Sequence, residues 1–210
     1  MAAKTLITNN NVLPIVSKVY CAPSEVVLAV RRRPNVANGG GFAVADSTQR
    51  VVFSVDGCGV LGKKQELILR DGDGNALLLI RRKGAIVEAL NLTRKWKGYS
   101  YVDLVGSDKL VFTLKEPNSS CFSTNARIKI SIESKELCSH GSFEVLGDFP
   151  GRSCTIVSPM GDVIGVNKEL QRLMASRDMY QVEIKAGFDQ AFVFGVIAVL
   201  DYIYDGSTRC

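Results

Sequence analysis

Four short runs of basic residues are the part of this 210-residue chain most able to do chemistry: Arg31-Arg32-Arg33, Lys63-Lys64, Arg81-Arg82-Lys83 and Arg94-Lys95-Trp96-Lys97. Arg31 and Arg33 end a β-rich run, so a period of two puts them on one face. Arg81 and Lys83 repeat that spacing at the end of another. Two cations roughly 6.5–7 Å apart can grip one phosphate-bearing head group, and an arginine can do so through a bidentate fork. Near an anionic membrane each basic group is worth ~1 kcal/mol. The candidate head-group ligands are therefore Arg31, Arg33, Lys63, Lys64, Arg81, Lys83, Arg94 and Lys95. The bland reading is that these are strand ends in solvent. Charge is uneven along the chain. Residues 1–105 hold 15 Lys/Arg and 8 Asp/Glu, a balance of +7, and residues 106–210 hold 11 and 13, a balance of −2. The first half is the half suited to phosphates. By that logic Lys129 and Lys135, in the acidic half, are the natural control pair.

Other chemical patterns carry less. Gly57-Cys58-Gly59-Val60-Leu61-Gly62 is a literal G-x-G-x-x-G. A dinucleotide site needs a helix next and an acid about 20 residues on; here a strand-like run follows, and Arg81-Arg82 occupies the acid's place. Asp71-x-Asp73-x-Asn75 opens like a calcium loop but has Ala76 at the sixth position and Arg82 at the twelfth, which suits a hairpin turn. His140 is the single histidine, two residues after Cys138, with no nucleophile signature around it. No carboxylates pair into a general acid and base. No catalytic residue, metal ligand or cofactor is assigned. Trp96, Tyr99 and Tyr101 are the only aromatics interleaved with the basic runs, weak support for nucleic acid.

The elements that must hold these residues are mostly strands. Short runs rich in β-formers alternate with Gly, Asp and Asn turns. They are Val26 through Arg33, Phe42–Asp46, Val51–Val55, Gln65–Arg70, Ala76–Arg82, Ile86–Leu92 and the region through Trp96, Lys109–Lys115, Arg127–Glu133, Ser142–Leu146, Ser153–Val157, Asp162–Val166 and Tyr180–Lys185. Ile128, Ile130 and Ile132 point one way, and Lys129, Ser131 and Glu133 the other. Leu170, Leu173 and Met174 suggest a helical turn within Glu169–Ala175. The closing segment differs. From Ala191 to Leu200 no side chain carries a polar atom, and a helix apolar all round belongs in a core or a membrane. Gln190 to Tyr204 as a helix spans roughly 22 Å, short of a ~30 Å hydrocarbon layer. Asp201 interrupts the run, Asp189 is a good N-cap, and Gly206 is a stop. A barrel of about twelve strands is too wide for its own side chains to fill, so helix and barrel require each other. Six scattered cysteines, none in a C-x-x-C pair and with no secretory signal, indicate reduced thiols in an intracellular protein.

Read in order, Tyr20-Cys21-Ala22-Pro23, the strand–turn–strand Phe42–Val55, Leu69-Arg70-Asp71-x-x-Gly74 with its Leu-rich following strand, Trp96, Phe143-x-Val145, Arg152–Val157 and the closing Tyr180–Leu200 resemble the LURP-one-related family of plants. One departure stands out: the first hairpin has Asp46-Ser47-Thr48-Gln49 where the family has Asp-x-x-Gly. The family's fold is similar to Tubby and to phospholipid scramblases. The resemblance implies a mainly β, Tubby-like closed antiparallel barrel around a central hydrophobic C-terminal helix. It implies one LURP-one-related domain over 1–210, with 1–11 as a loose N-terminal tail. It also implies a non-enzymatic role. The expected function is binding of anionic phospholipid or phosphoinositide as a membrane-associated signalling or defence-related protein. The alternative is a protein-interaction or structural module. A monomer without a transmembrane span is expected, cytoplasmic or peripheral at the plasma membrane, with the nucleus as a further location.

Overall fold

The computed structural model describes residues 12–33, 40–57, 65–83, 94–101, 109–117, 127–133, 141–169, 178–206 and 208. The glycine-rich Cys58–Gly62, Lys63-Lys64, the Ile86–Leu92 run, Lys135, His140, the helical turn after Glu169 and the 1–11 tail lie outside them.

Twelve antiparallel strands close into one barrel. They are β1 (Val26–Arg33), β2 (Gly41–Ala45), β3 (Val51–Asp56), β4 (Glu66–Asp71), β5 (Ala76–Lys83), β6 (Lys95–Ser100), β7 (Leu110–Lys115), β8 (Ile128–Ile132), β9 (Phe143–Asp148), β10 (Ser153–Val157), β11 (Val163–Glu169) and β12 (Met179–Ile184). Each strand pairs with its neighbours in sequence, and β1 pairs with β12 to leave no open edge. The Trp96 strand runs forward from Lys95 to Ser100 rather than ending at the tryptophan.

Helix α1 (Gln190–Leu200) occupies the barrel interior, and every residue from Ala191 to Leu200 is buried. Phe192 packs edge-on against Phe112 and Phe143, and Phe194 lies tilted against Phe53. Asp189 caps the helix, accepting from the backbone N–H groups of Ala191 and Phe192. Its second carboxylate oxygen accepts from the N–H groups of Ile15, Val16 and Ser17. One side chain thus starts the core helix and straps the N-terminal segment across the barrel's mouth.

At the other end the helical backbone runs to the stop the sequence predicts, and Asp201 breaks only the apolar run. The backbone continues helically to Asp205 with wider hydrogen bonding, and Gly206 ends it at φ 74°. Asp201 is completely buried, with Arg32 Nε 3.2 Å from one oxygen and the Thr208 N–H donating to the other. A buried carboxylate is tolerable because it is paired.

The departure in the first hairpin is also resolved. In the β2–β3 turn Asp46 accepts from the N–H groups of Thr48 and Arg50, and Gln49 takes φ 66°. In the β4–β5 turn Asp71 accepts from Asp73 and Asn75, and Gly74 takes φ 87°. The β10–β11 turn repeats the pattern, with Ser158 as acceptor and Gly161 at φ 91°. These are one turn type used three times, and only the first lacks glycine at the left-handed position.

Candidate anion-binding surface

Alternation of chain direction decides at which end of the barrel each basic run falls. Strands that run toward the helix-exit end finish in Arg33, Lys83 and Lys115 but also in Asp56, Asp148 and Glu169, and the strands that leave it include one beginning at Lys95 and one at Glu66, so that end is mixed in charge. Hairpin tips at the helix-entry end carry Asp46, Asp71, Asp73 and Asp162. All six described candidates, Arg31, Arg33, Arg81, Lys83, Arg94 and Lys95, therefore sit toward the helix-exit end.

They do not converge on one patch. Arg31 and Arg33 are on β1, and β2, β3 and β4 separate them from β5, roughly 19 Å around the wall at ~4.8 Å per strand. Arg33 donates to the Val55 carbonyl and lies 2.9 Å from Asp56, whose other oxygen takes Arg70 Nε at 2.8 Å. Burial opposes ionisation of Asp56, but the hydrogen bonds from Arg70 and Arg33 outweigh it and hold its carboxyl below the usual range. Arg31 is exposed on the same outer face.

The second group does converge. In register, Lys83 stands opposite Lys95, and Lys95 opposite Lys115. Trp96 and Leu114 are buried inside, so these lysines point outward. Directly opposed residues have Cβ atoms about 4.5–5.5 Å apart. One row further in, Arg81 faces Lys97. Arg81 is taken up by Glu66, but among the described residues Lys83, Lys95, Lys97 and Lys115 have no carboxylate partner. The β7–β8 pairing sets Thr113 opposite Ser131 and Leu114 opposite Ile130. The next step brings Lys115 toward Lys129, whose other neighbour is Glu144. Lys129 thus borders the patch and is not a neutral control. Like charges at this spacing repel by ~0.7 kcal/mol at about 6 Å in water, so the row is a local cost that an anion would relieve. Arg94 sits exposed at the rim just before β6.

Sequence reasoning did not place Lys97 and Lys115 in this cluster of lysines. Lys115 ends a strand that a sequentially paired meander brings beside Lys95, and Lys97 lies two residues along the same strand as Lys95, so assuming that pairing would have found both.

Behind the patch the barrel mouth is closed by a polar cluster. Arg82 grips Glu116 bidentately at 2.8 and 2.9 Å, and Trp96 Nε1 donates to the same carboxylate at 2.7 Å. The Arg82 guanidinium lies 6.0 Å from the Trp96 ring and 5.9 Å from that of Tyr202. Trp96 is fully buried and cannot stack on a nucleotide, which removes the aromatic most favourable to nucleic acid. Among the described residues, groups with displaced acidity do not assemble into a reactive site. Burial, then the Asp189 charge, pushes the Cys21 thiol up to about 11, the reverse of what a nucleophilic thiol needs. Burial also raises Tyr180, at the helix-exit end of the barrel, under the Arg152 guanidinium at 4.3 Å. Among the described residues no group of three or more His, Cys, Asp or Glu is placed to hold a metal ion, and no helix is long and apolar enough to cross a membrane.

A closed twelve-strand antiparallel barrel wound around its own C-terminal helix defines the class of protein. Residues 26–201 match the LURP-one-related family, and the chain belongs to it. It is 55% identical to Protein LURP-one-related 6 of Arabidopsis thaliana over 196 residues, covering 93% of this chain and 98% of that protein. It is 46% identical to Protein LURP-one-related 16 of the same plant, covering 97% and 98%. An X-ray structure of a protein from Arabidopsis thaliana shares the fold, with a TM-score of 0.62 at 18% identity, covering 90% of this chain and 98% of that one.

Proposed function

We propose that this chain acts over residues 1–210 as one non-enzymatic, Tubby-like domain. It docks reversibly on anionic phospholipid, phosphoinositide included, at the cytoplasmic face of a membrane, in a signalling or defence-related role. The observation that carries the reading is the outward row Lys83–Lys95–Lys115, flanked by Lys97, with no carboxylate among the described residues to neutralise it. Four such lysines at an anionic surface contribute on the order of 4 kcal/mol, enough for salt-sensitive peripheral binding. Arg31 and Arg33 lie outside this patch, and the Asp56 pairing weakens the case for Arg33 as a ligand.

Co-sedimentation with vesicles of phosphatidylcholine alone, with phosphatidylserine, and with phosphatidylinositol bisphosphate tests it. Binding to the anionic vesicles at low salt is expected, falling as salt rises. The triple variant Lys83→Ala/Lys95→Ala/Lys115→Ala should lose most of it, and Arg31→Ala/Arg33→Ala little. If the wild-type protein ignores anionic vesicles at low salt, the reading is wrong. A role as a protein-interaction module would then be the better account.

A further inference from the structure

The opposite end of the barrel holds a cavity of about 390 Å³. Its walls come from the tips of the β2–β3 and β4–β5 hairpins, the short helical turn Lys18–Tyr20 and the first residue of α1. We propose that this cavity docks a lysine or arginine side chain presented by a protein partner, a function separate from the lysine row.

Three features select that occupant. The first is the inner surface. Tyr20 forms it, its ring 5.4 Å from that of the buried Phe53 behind it. An aromatic wall receives the methylene stem of a long side chain and attracts a cation over its face. The second is charge. Asp46, Asp71 and Asp73 line the cavity against one cation, Arg50. Asp46 and Asp71 are fixed by their turns: backbone N–H groups take one oxygen of each, the Asn75 side-chain amide donates to the other oxygen of Asp71, and hydrogen bonding keeps both carboxyls below the usual range even where burial opposes it. The resulting field is felt inside the cavity. The Tyr20 hydroxyl is raised by burial and then by the charges of Asp71, Asp189 and Asp73. An anion is excluded, since the backbone donors at the start of α1 are consumed by Asp189.

The third feature points to a protein rather than a free amine. Val19 is 84% exposed and Val51 43% exposed, and both line the opening. A small cation would leave these side chains in water, whereas the surface around an inserted lysine or arginine would cover them. The cavity opens at the helix-entry end, away from the lysine row, so a membrane-docked molecule would still present it.

The test uses the full chain and amide chemical shifts. The probe is the peptide acetyl-Gly-Leu-Arg-Leu-Gly-amide, with its citrulline analogue as an uncharged copy and spermidine as a free polyamine. Saturable shifts confined to residues 19–20, 46–53 and 71–75 are expected with the arginine peptide, with affinity roughly three- to tenfold weaker for the citrulline copy. Asp73→Asn, whose carboxylate holds no turn, should weaken the arginine peptide by a similar factor. Val19→Ser should weaken the peptide and leave spermidine unchanged. Equal shifts from the charged and uncharged peptides, or none, would overturn the assignment. Spermidine binding as tightly as the peptide would overturn the protein partner. Asp73→Asn should leave vesicle binding intact, so failure here is distinguishable from failure of the membrane reading.

Discussion

Lys83 and Lys95 face one another across the β5–β6 pairing, and Lys95 faces a third lysine, Lys115, across β6–β7. Like charges directly opposed are destabilising, by about 0.2–1 kcal/mol per pair. Lys95→Glu turns two repulsions into two attractions. It should raise the unfolding free energy by about 1 kcal/mol in urea denaturation, while reducing sedimentation with anionic vesicles. A variant that is less stable, or one that binds as wild type does, would show that the row is not a strained anion site.

Gln49 holds a left-handed backbone conformation that Gly74 and Gly161 hold in the two matching turns. A side chain there costs about 1 kcal/mol relative to glycine. Gln49→Gly should stabilise the protein by roughly 0.5–1 kcal/mol, raising the melting temperature by about 1–4 °C. Gly74→Ala, the reciprocal change, should lower it.

Gly98 lies inside the barrel under the Phe112 ring, where an added Cβ would come 2.3 Å from a ring carbon. Phe112 cannot retreat, because its other side meets Phe192 and approaches Gly195 of the central helix. Gly98→Ala should therefore cost about 1–3 kcal/mol as overpacking, read as a lower urea midpoint with an unchanged slope.

Asp56 is held ionised by Arg70 and Arg33, its carboxyl below the ordinary value of about 3.9. A depressed folded-state value adds stability that is fully present above the unfolded value and is lost as pH falls through the folded one. The stability gap between wild type and Asp56→Asn should be widest above about pH 5 and shrink below about pH 4. Urea titrations at a series of pH values measure that gap. A gap that grows on acidification would contradict the pairing.

Much of this architecture was legible in the residues. A segment without a polar atom from Ala191 to Leu200 cannot be a surface helix, and burial by the barrel is the consequence. Alternation of Ile128, Ile130 and Ile132 with Lys129 and Ser131 named the inner face of β8, and all three isoleucines are buried. Spacing within a strand is local, so it can be read along one stretch of chain. What stands beside a strand end is set by register and closure, which pair residues far apart. Only the folded barrel placed Lys83, Lys95 and Lys115 in one row, gave Arg33 to Asp56 and Arg81 to Glu66, and set Arg31 and Arg33 beyond three intervening strands. Asp201 shows the same limit: alone it reads as a polar interruption, and it becomes part of the core because β1 delivers Arg32 to the barrel's mouth and neutralises it there.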